Sequence, residues 1–217
     1  MRRLIFLAAP LAALALPAAT GAQGPRAGIS LESDAYLITF NTQDVHLGGR
    51  LSGVARPGNQ RVRLRGSTAP FTRFGNGRTT RTAADGTFSF TVRPTQNVHY
   101  QVVAATRPAV ISPQVNVFVA RRVTIKVSSG RPRAGGRLRI SGYAYPPGDG
   151  AAVDLQYLRG ANWRTVQRRR LFDVGPTRSG YRFIVSAPRR RTRLRVIAPE
   201  TRRFVTSASN QRTVRPR

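Results

Sequence analysis

The chain has 217 residues and a formal net charge of +29, because 37 lysine and arginine residues face only eight aspartate and glutamate residues. It contains no cysteine, which excludes disulfide bonds, a lipid-modified N-terminal cysteine and cysteine-ligated metals. A chain this basic attracts polyanions, and we expect such binding to weaken steeply with added salt.

Residues 1–22 have the layout of a secretory signal peptide. Arg2-Arg3 precedes an apolar run from Leu4 to Leu16, which is shorter than the roughly 20 apolar residues that a membrane-spanning helix needs. Small residues follow, so we expect cleavage after Ala22, or alternatively after Ala19 or Thr20. The sequence therefore predicts a secreted, extracellular or cell-envelope-associated protein without a transmembrane segment.

Residues 28–120 have the pattern of one small β-sandwich, because short strands of alternating apolar and polar residues are separated by turns rich in glycine and proline. Asp85-Gly86 is predicted to be a hairpin turn, since both residues tolerate positive φ. The predicted strands are Tyr36–Phe40, Val45–Val54, Arg61–Arg65, Arg78–Thr82, Thr87–Val92, Tyr100–Ala104 and Gln114–Val119.

Residues 121–217 repeat this order and are predicted to form a second sandwich. The boundary lies at Ala120-Arg121-Arg122 with almost no spacer, so we expect limited freedom between the two domains. The predicted strands are Val123–Val127, Arg137–Tyr145, Ala152–Leu158, Trp163–Val166, Arg170–Phe172, Tyr181–Val185, Arg193–Ile197 and Arg212–Val214.

An internal duplication relates the two halves, with an offset that grows along the chain because insertions accumulate in loops. Alternation within the duplicated strands predicts that four aromatic rings point into the cores: Phe88, Phe90, Tyr181 and Phe183. The aligned pairs are Gly48-Gly49-Arg50-Leu51 with Gly135-Gly136-Arg137-Leu138, Thr87–Phe90 with Gly180–Phe183, and Tyr100–Ala104 with Leu194–Ala198.

Four strand and turn motifs stand along the chain: Gly86–Val92, Arg133–Leu138, Val153–Gln156 and Trp163–Val166. With these motifs, most of residues 28–217 resembles the tandem immunoglobulin-like repeats of secreted, high-GC bacterial proteins. The resemblance implies an all-β fold of two tandem immunoglobulin-like antiparallel β-sandwiches. The second repeat departs from the pattern at Gly175–Gly180, which lacks the Asp-Gly turn of the first. The motifs are structural, so they indicate fold and not function.

The sequence shows no coherent set of catalytic residues. His46 and His99 are the only histidines, and neither lies near a nucleophile motif. A phosphate loop and a zinc-protease motif are also missing from the sequence. We therefore predict that the protein is not an enzyme, binds no cofactor or metal and has no small-molecule substrate.

Five aromatic residues of the second repeat allow two interpretations, a sugar-stacking platform or the packed interior of a sandwich. Packing is the favoured interpretation, because a sandwich commonly fills the space between its sheets with tryptophan and tyrosine. These residues are Tyr143, Tyr145, Tyr157, Trp163 and Tyr181.

The arginines form stripes and clusters. Arg61, Arg63 and Arg65 alternate with apolar residues, as do Arg193 and Arg195, so each stripe is predicted to lie on the outer face of a sheet. A solvated surface without a ligand and a polyanion-binding surface are both consistent with this pattern. The residues predicted to bind a polyanion are Arg168, Arg169, Arg170, Arg189, Arg190, Arg191, Arg193 and Arg195.

Together these features predict a secreted, non-catalytic structural or interaction module at the cell envelope, with weak electrostatic affinity for anionic envelope polymers or other polyanions. The alternative is a dedicated extracellular nucleic-acid or acidic-polysaccharide binding protein. An enzyme or an enzyme accessory domain is the third class. The sequence does not predict the oligomeric state.

Overall fold

The computed structural model describes residues 26–217, and the predicted signal peptide and its cleavage site lie outside the described residues. Every regular element between residues 26 and 217 is a β-strand, which confirms the predicted all-β fold of tandem antiparallel sandwiches. The first sandwich contains β1 (Gly28–Ile29), β2 (Glu32–Ser33), β3 (Leu37–Thr39), β4 (Val45–Ser52), β5 (Arg61–Thr68), β6 (Gly75–Arg81), β7 (Thr87–Val92), β8 (Val98–Ala104), β9 (Val110–Ile111) and β10 (Val115–Ala120).

Two sheets enclose the core of the first sandwich. In one, β4 pairs with β1, β2 and β7; in the other, the strand order is β3-β10-β8-β5-β6, with β9 beside β8. The pairing of β3 with β10 is parallel, whereas the others in this half are antiparallel. Apolar side chains of both sheets, among them the fully buried Val62 and Val102, form one continuous cluster.

The second sandwich repeats this plan. One sheet has the order β11-β13-β17-β16 with β12 beside β13, and the other has the order β15-β14-β18-β19 with β20 beside β18. Its strands are β11 (Arg122–Val123), β12 (Lys126–Val127), β13 (Arg137–Tyr145), β14 (Ala152–Arg159), β15 (Asn162–Arg170), β16 (Phe172–Asp173), β17 (Ser179–Ser186), β18 (Thr192–Ala198), β19 (Ser207–Ala208) and β20 (Arg212–Val214).

The aromatic rings of the duplicated strands lie inside, as alternation predicts. Phe88 and Phe90 of β7 contact each other edge to face, and Tyr181 and Phe183 of β17 make a similar tilted pair. All four side chains are buried. Aromatic pairs in such arrangements add to the stabilisation that burial provides.

The alignment of the two Gly-Gly segments is wrong. Gly49 pairs with Phe88, and Gly142 pairs with Tyr181, so Gly49 corresponds to Gly142 and not to a residue of Gly135-Gly136. A Cβ atom at either position would collide with a backbone carbonyl of the segment between the first two strands of its sandwich and with the aromatic side chain opposite. The repeat therefore keeps a glycine where two strands and a ring crowd together, whereas Gly135-Gly136 precedes β13.

The Asp85-Gly86 turn is also not a hairpin. Gly86 has φ of 88° and its N–H donates to Ala83, which gives the tight turn that the sequence indicates. However, β6 pairs with β5 while β7 pairs with β4, so the turn connects the two sheets. In the second repeat, the segments predicted as two strands at Trp163–Val166 and Arg170–Phe172 instead form the long strand β15 and the short β16.

The predicted boundary falls between β10 and β11, but a loop of the second half crosses it and contacts the first sandwich. Phe204, from the loop between β18 and β19, has only 1% of its surface exposed and belongs to the apolar cluster of the first sandwich. The buried Asn97 accepts a hydrogen bond from the Val119 N–H, while its own N–H donates to the Arg203 carbonyl at 2.8 Å. The Val205 N–H in turn donates to Val119.

Arg121, at the boundary itself, is buried against this loop. Its guanidinium lies 4.2 Å from the centre of the Phe204 ring and donates to the Pro146 carbonyl at 2.7 Å. Burial, together with the nearby charge of Arg203, lowers the pKa of the Arg121 guanidinium. These contacts join the sandwiches directly, in addition to the short covalent junction.

Candidate anion-binding surface

The arginine triplet of β15 is divided by the alternation of the strand. Arg168 lies opposite Asp154 of β14, and its guanidinium donates two hydrogen bonds to that carboxylate at 2.6 and 2.8 Å. The Asp154 side chain is 8% exposed, and its hydrogen bonds raise the pKa of Arg168. Arg170 donates to the Gly150 carbonyl, whereas Arg169 is exposed.

The pair formed by Arg168 and Asp154 changes the effect expected when Arg168 is replaced. A surface arginine is usually replaceable at little cost to stability, but removing Arg168 would leave a buried carboxylate without its partner. Arg168, one of the predicted site residues, is therefore held by a buried carboxylate, whereas the neighbouring Arg169 has no such partner.

The stripe on β18 faces outward as predicted, and the alternating residues Leu194 and Val196 are fully buried. Arg193 is exposed. Arg195 donates to the Gln156 side chain at 3.0 Å, and its guanidinium lies 4.2 Å from the centre of the Trp163 ring. Partial burial lowers the pKa of Arg195.

The structure does not bring the two arginine triplets together. The loop that precedes β18 exposes Arg189, Arg190 and Arg191. Arg168, in contrast, lies opposite Asp154, and Asp154 pairs with Ile197 near the other end of β18. Thr192 and Ile197 are five positions apart along the extended strand, which corresponds to a distance of about 17 Å. A single short ligand would not contact both triplets, although a polymer could.

A further group of guanidinium groups without a carboxylate partner lies in the first sandwich. Arg61, Arg63 and Arg65 of β5 project from the same face and line a groove of about 240 Å³. No carboxylate in the described part of the chain forms an ion pair with them. The facing strand adds Arg81, which pairs directly with Arg61. Sequence reasoning missed Arg81, because its contribution depends on the register of the β5–β6 hairpin.

The five aromatic residues considered for sugar stacking divide between core and surface. Tyr157 and Tyr181 are buried, and the Tyr181 hydroxyl donates to the Thr124 carbonyl. Tyr143 is 38% exposed and lies under the guanidinium of Arg178 at 4.1 Å, while Trp163 is half-buried under Arg195. The core interpretation is thus right for two of them, and the outer rings are covered by arginine.

A metal-binding cluster and a membrane-spanning helix are both absent from residues 26–217. No group of three or more histidine, aspartate or glutamate side chains in this range is arranged to hold a metal ion. The range also contains no helix of the length and apolar character needed to cross a bilayer. A cavity of about 590 Å³ lies at the junction and is lined mainly by polar residues of the segments 120–125 and 206–212.

No protein-family model and no curated protein matches the chain. Among solved structures, it is similar to a tetra-tandem repeat in the extending region of a large adhesion protein, with 18% identity and a TM-score of 0.42 over 87% of this chain and 49% of that one. It is also similar to red sea bream transglutaminase, with 10% identity and a TM-score of 0.45 over 88% of this chain and 31% of that one. The chain spans about half and about a third of their lengths, and the likeness concerns β-sandwich fold alone.

Proposed function

We propose that the protein is a non-catalytic structural or interaction module, located at the cell envelope or outside the cell, that holds anionic polymers electrostatically. One observation carries this proposal. Only Arg2 and Arg3 precede residue 26, so residues 26–217 contain the other 35 of the 37 basic residues and all eight carboxylates. The three ion pairs in this range leave most guanidinium groups without a carboxylate partner.

The predicted arginines contribute unequally to this proposal. Arg168 and Arg195 already have partners within the protein, so their charges are partly neutralised or shielded. Arg169, Arg193 and the loop at residues 189–191 are exposed and available to a polymer. Because a polymer can span distant patches, the separation of the triplets is compatible with binding along the surface.

The contacts at the junction support a structural role. Phe204 and Asn97 join the sandwiches through buried groups, which limits their relative motion more than a short linker alone would. A pair of sandwiches held in this way keeps its basic faces at fixed positions, and we expect a polymer to meet them as one surface.

Titration of the purified protein tests the proposal. Heparin, teichoic acid and duplex DNA are titrated across a salt series, and the logarithm of affinity is plotted against the logarithm of salt concentration. We expect measurable binding to more than one polymer near physiological salt, with a steep negative slope because each neutralised charge releases about one counterion. No binding to any of the three would contradict the proposal and leave a solvated surface without a ligand.

The proposed location has a separate test. Mass spectrometry of the protein from the envelope and culture-medium fractions should find an N-terminus near Gln23. An intact Met1 terminus in the cytosolic fraction would contradict it.

A dedicated binder of nucleic acid or acidic polysaccharide is the second candidate function. The groove beside Arg61, Arg63 and Arg65 favours it, because the groove concentrates guanidinium groups at a defined place in the fold. A preference for one polymer that persists at high salt in the same titration would favour this candidate.

A further inference from the structure

From the groove along β5 we infer a built subsite for an acidic polysaccharide, with Arg61, Arg63 and Arg65 receiving its carboxylate or sulfate groups. This inference rests on the proposed function and names the place and the ligand class. The floor of the groove is formed by small aliphatic residues between Val103 and Ala109. The binding residues predicted from the sequence all lie in the second repeat. The alternation of arginine and apolar residues in β5 resembles that in β18, so it did not single out β5 as a binding site.

Two arginines beside the groove repel each other, because they lie directly opposite on neighbouring strands. Arg61 and Arg81 are a cross-strand pair, and like charges directly opposite one another in a sheet are destabilising. The Nη1 group of Arg81 donates to the backbone carbonyl and the side-chain oxygen of Asn59, and these neutral acceptors do not neutralise the charge of Arg81. A bound anion would supply the missing negative charge.

One hydrogen-bond donor of Arg65, at the groove, has no partner within the protein. The Nε atom of Arg65 is shielded from solvent and has no hydrogen-bond partner in the structure. The guanidinium of Arg65 lies 5.7 Å from the centre of the Phe74 ring, which holds the side chain against the sheet. Buried polar groups are nearly always hydrogen-bonded, so an orphan donor beside a basic groove is consistent with an incomplete site.

The spacing of the guanidinium groups and the lining of the groove indicate the ligand class. Alternate residues of a strand lie about 7 Å apart, so the three guanidinium groups form a row that suits a linear polymer with regularly spaced anions. The lining includes Val103, Ala105, Ala109 and Asn76 but no aromatic ring. Single-stranded nucleic acid binds mainly by stacking bases on aromatic rings, whereas the hydroxyl groups of a sugar can form hydrogen bonds with an amide such as that of Asn76.

Three polymers of similar charge separate the possible ligands. Polygalacturonate carries carboxylates on sugars, polyglutamate carries them on a peptide chain, and oligo-dT carries phosphates on a nucleic acid. We expect wild-type protein to bind polygalacturonate at least about fivefold more tightly than either comparator at matched charge and salt, because only the sugar polymer also offers hydroxyl groups to the Asn76 amide in the lining. Equal or tighter binding of polyglutamate or oligo-dT would overturn the choice of polysaccharide.

Two variants that remove the same charge locate the subsite. The groove variant carries Arg61→Gln, Arg63→Gln and Arg65→Gln, and the control variant replaces the exposed arginines at residues 189–191 with glutamine. We expect the groove variant to lose about tenfold or more in affinity for polygalacturonate near physiological salt and the control about threefold or less, since the first removes every arginine of the subsite, whereas the second removes one of several exposed basic patches. Circular dichroism verifies that each variant keeps its β-structure.

If the groove variant does not fold, the pair Arg61→Gln and Arg63→Gln, which changes only exposed residues, replaces it with the same expected order of effects. Equal losses in the groove and control variants would overturn the subsite but leave the proposed function intact. Failure of the wild-type protein to bind any of the three polymers would overturn both.

Discussion

Phe204 lies in the second half of the chain, but its ring completes the core of the first sandwich, and its replacement by alanine tests how the halves depend on each other. The side chain is 1% exposed. Truncating a buried phenylalanine to alanine costs about 3 to 5 kcal/mol, because apolar contacts are lost and a cavity remains. Loss of the contact with Arg121 adds about 1 kcal/mol.

Two spectroscopic probes report where the loss occurs. Trp163 is the only tryptophan and lies on β15, so its fluorescence reports the second sandwich, whereas far-ultraviolet circular dichroism reports both. During urea unfolding of the wild-type protein we expect both signals to change in a single coincident transition. In Phe204→Ala we expect circular dichroism to show an earlier phase, at a urea concentration where Trp163 fluorescence is still native.

Phe172→Ala is the matched control, because Phe172 also belongs to the second half but is 46% exposed on β16. We expect it to cost about 1 kcal/mol or less and to leave the two signals coincident. The reasoning is refuted if Phe204→Ala costs less than about 1 kcal/mol, or if the Trp163 signal changes before the circular dichroism signal.

Three further variants test individual contacts. Gly142→Ala should destabilise the protein by about 2 kcal/mol or more in urea unfolding, because the new methyl group meets a backbone carbonyl that cannot move easily. Gly130 lies in open space, so Gly130→Ala should have little effect. Equal effects of the two variants would contradict the crowding at Gly142. Arg168→Gln should lower the thermal midpoint clearly more than Arg169→Gln, since only the first leaves the Asp154 carboxylate without its partner, and equal midpoints would show that the pair contributes nothing. Burial raises the pKa of Tyr100 from 10.0 to about 12, so the folded state favours the protonated phenol; the resulting stabilisation is complete below pH 10 and disappears as pH rises towards 12, amounting to about 2 to 3 kcal/mol. Tyr100→Phe should reduce this alkaline loss when urea unfolding is compared at pH 9 and pH 11.5, and an unchanged loss would contradict it.

The strand positions could be predicted because alternation is a local property of the sequence. Val62 and Leu64, or Leu194 and Val196, identify the buried face of a strand without any knowledge of its neighbours. The same alternation correctly placed the ring of Phe90 inside.

Register and long-range contacts could not be predicted in the same way. The equivalence of Gly49 and Gly142 depends on which ring lies opposite each glycine, and a second Gly-Gly pair offered a misleading match. The partner of Arg168 and the neighbour of Arg61 both depend on hairpin register, which shifts at irregularities in β14 and β5. An isolated buried phenylalanine in a loop, such as Phe204, carries no periodic signal at all.

The dependence between the halves has a direction, and this affects the order of events during synthesis. The second apolar cluster draws its members from residues 123–214, whereas the first requires Phe204. A ribosome delivers the N-terminal half first, and domains generally fold in the order in which they emerge. Here the first half leaves the ribosome with an opening in its interior that is filled only about 84 residues after Ala120 has been added. Until then, its apolar interior is open to water and to other chains, and any factor that shields nascent chains would act on the half that is made first.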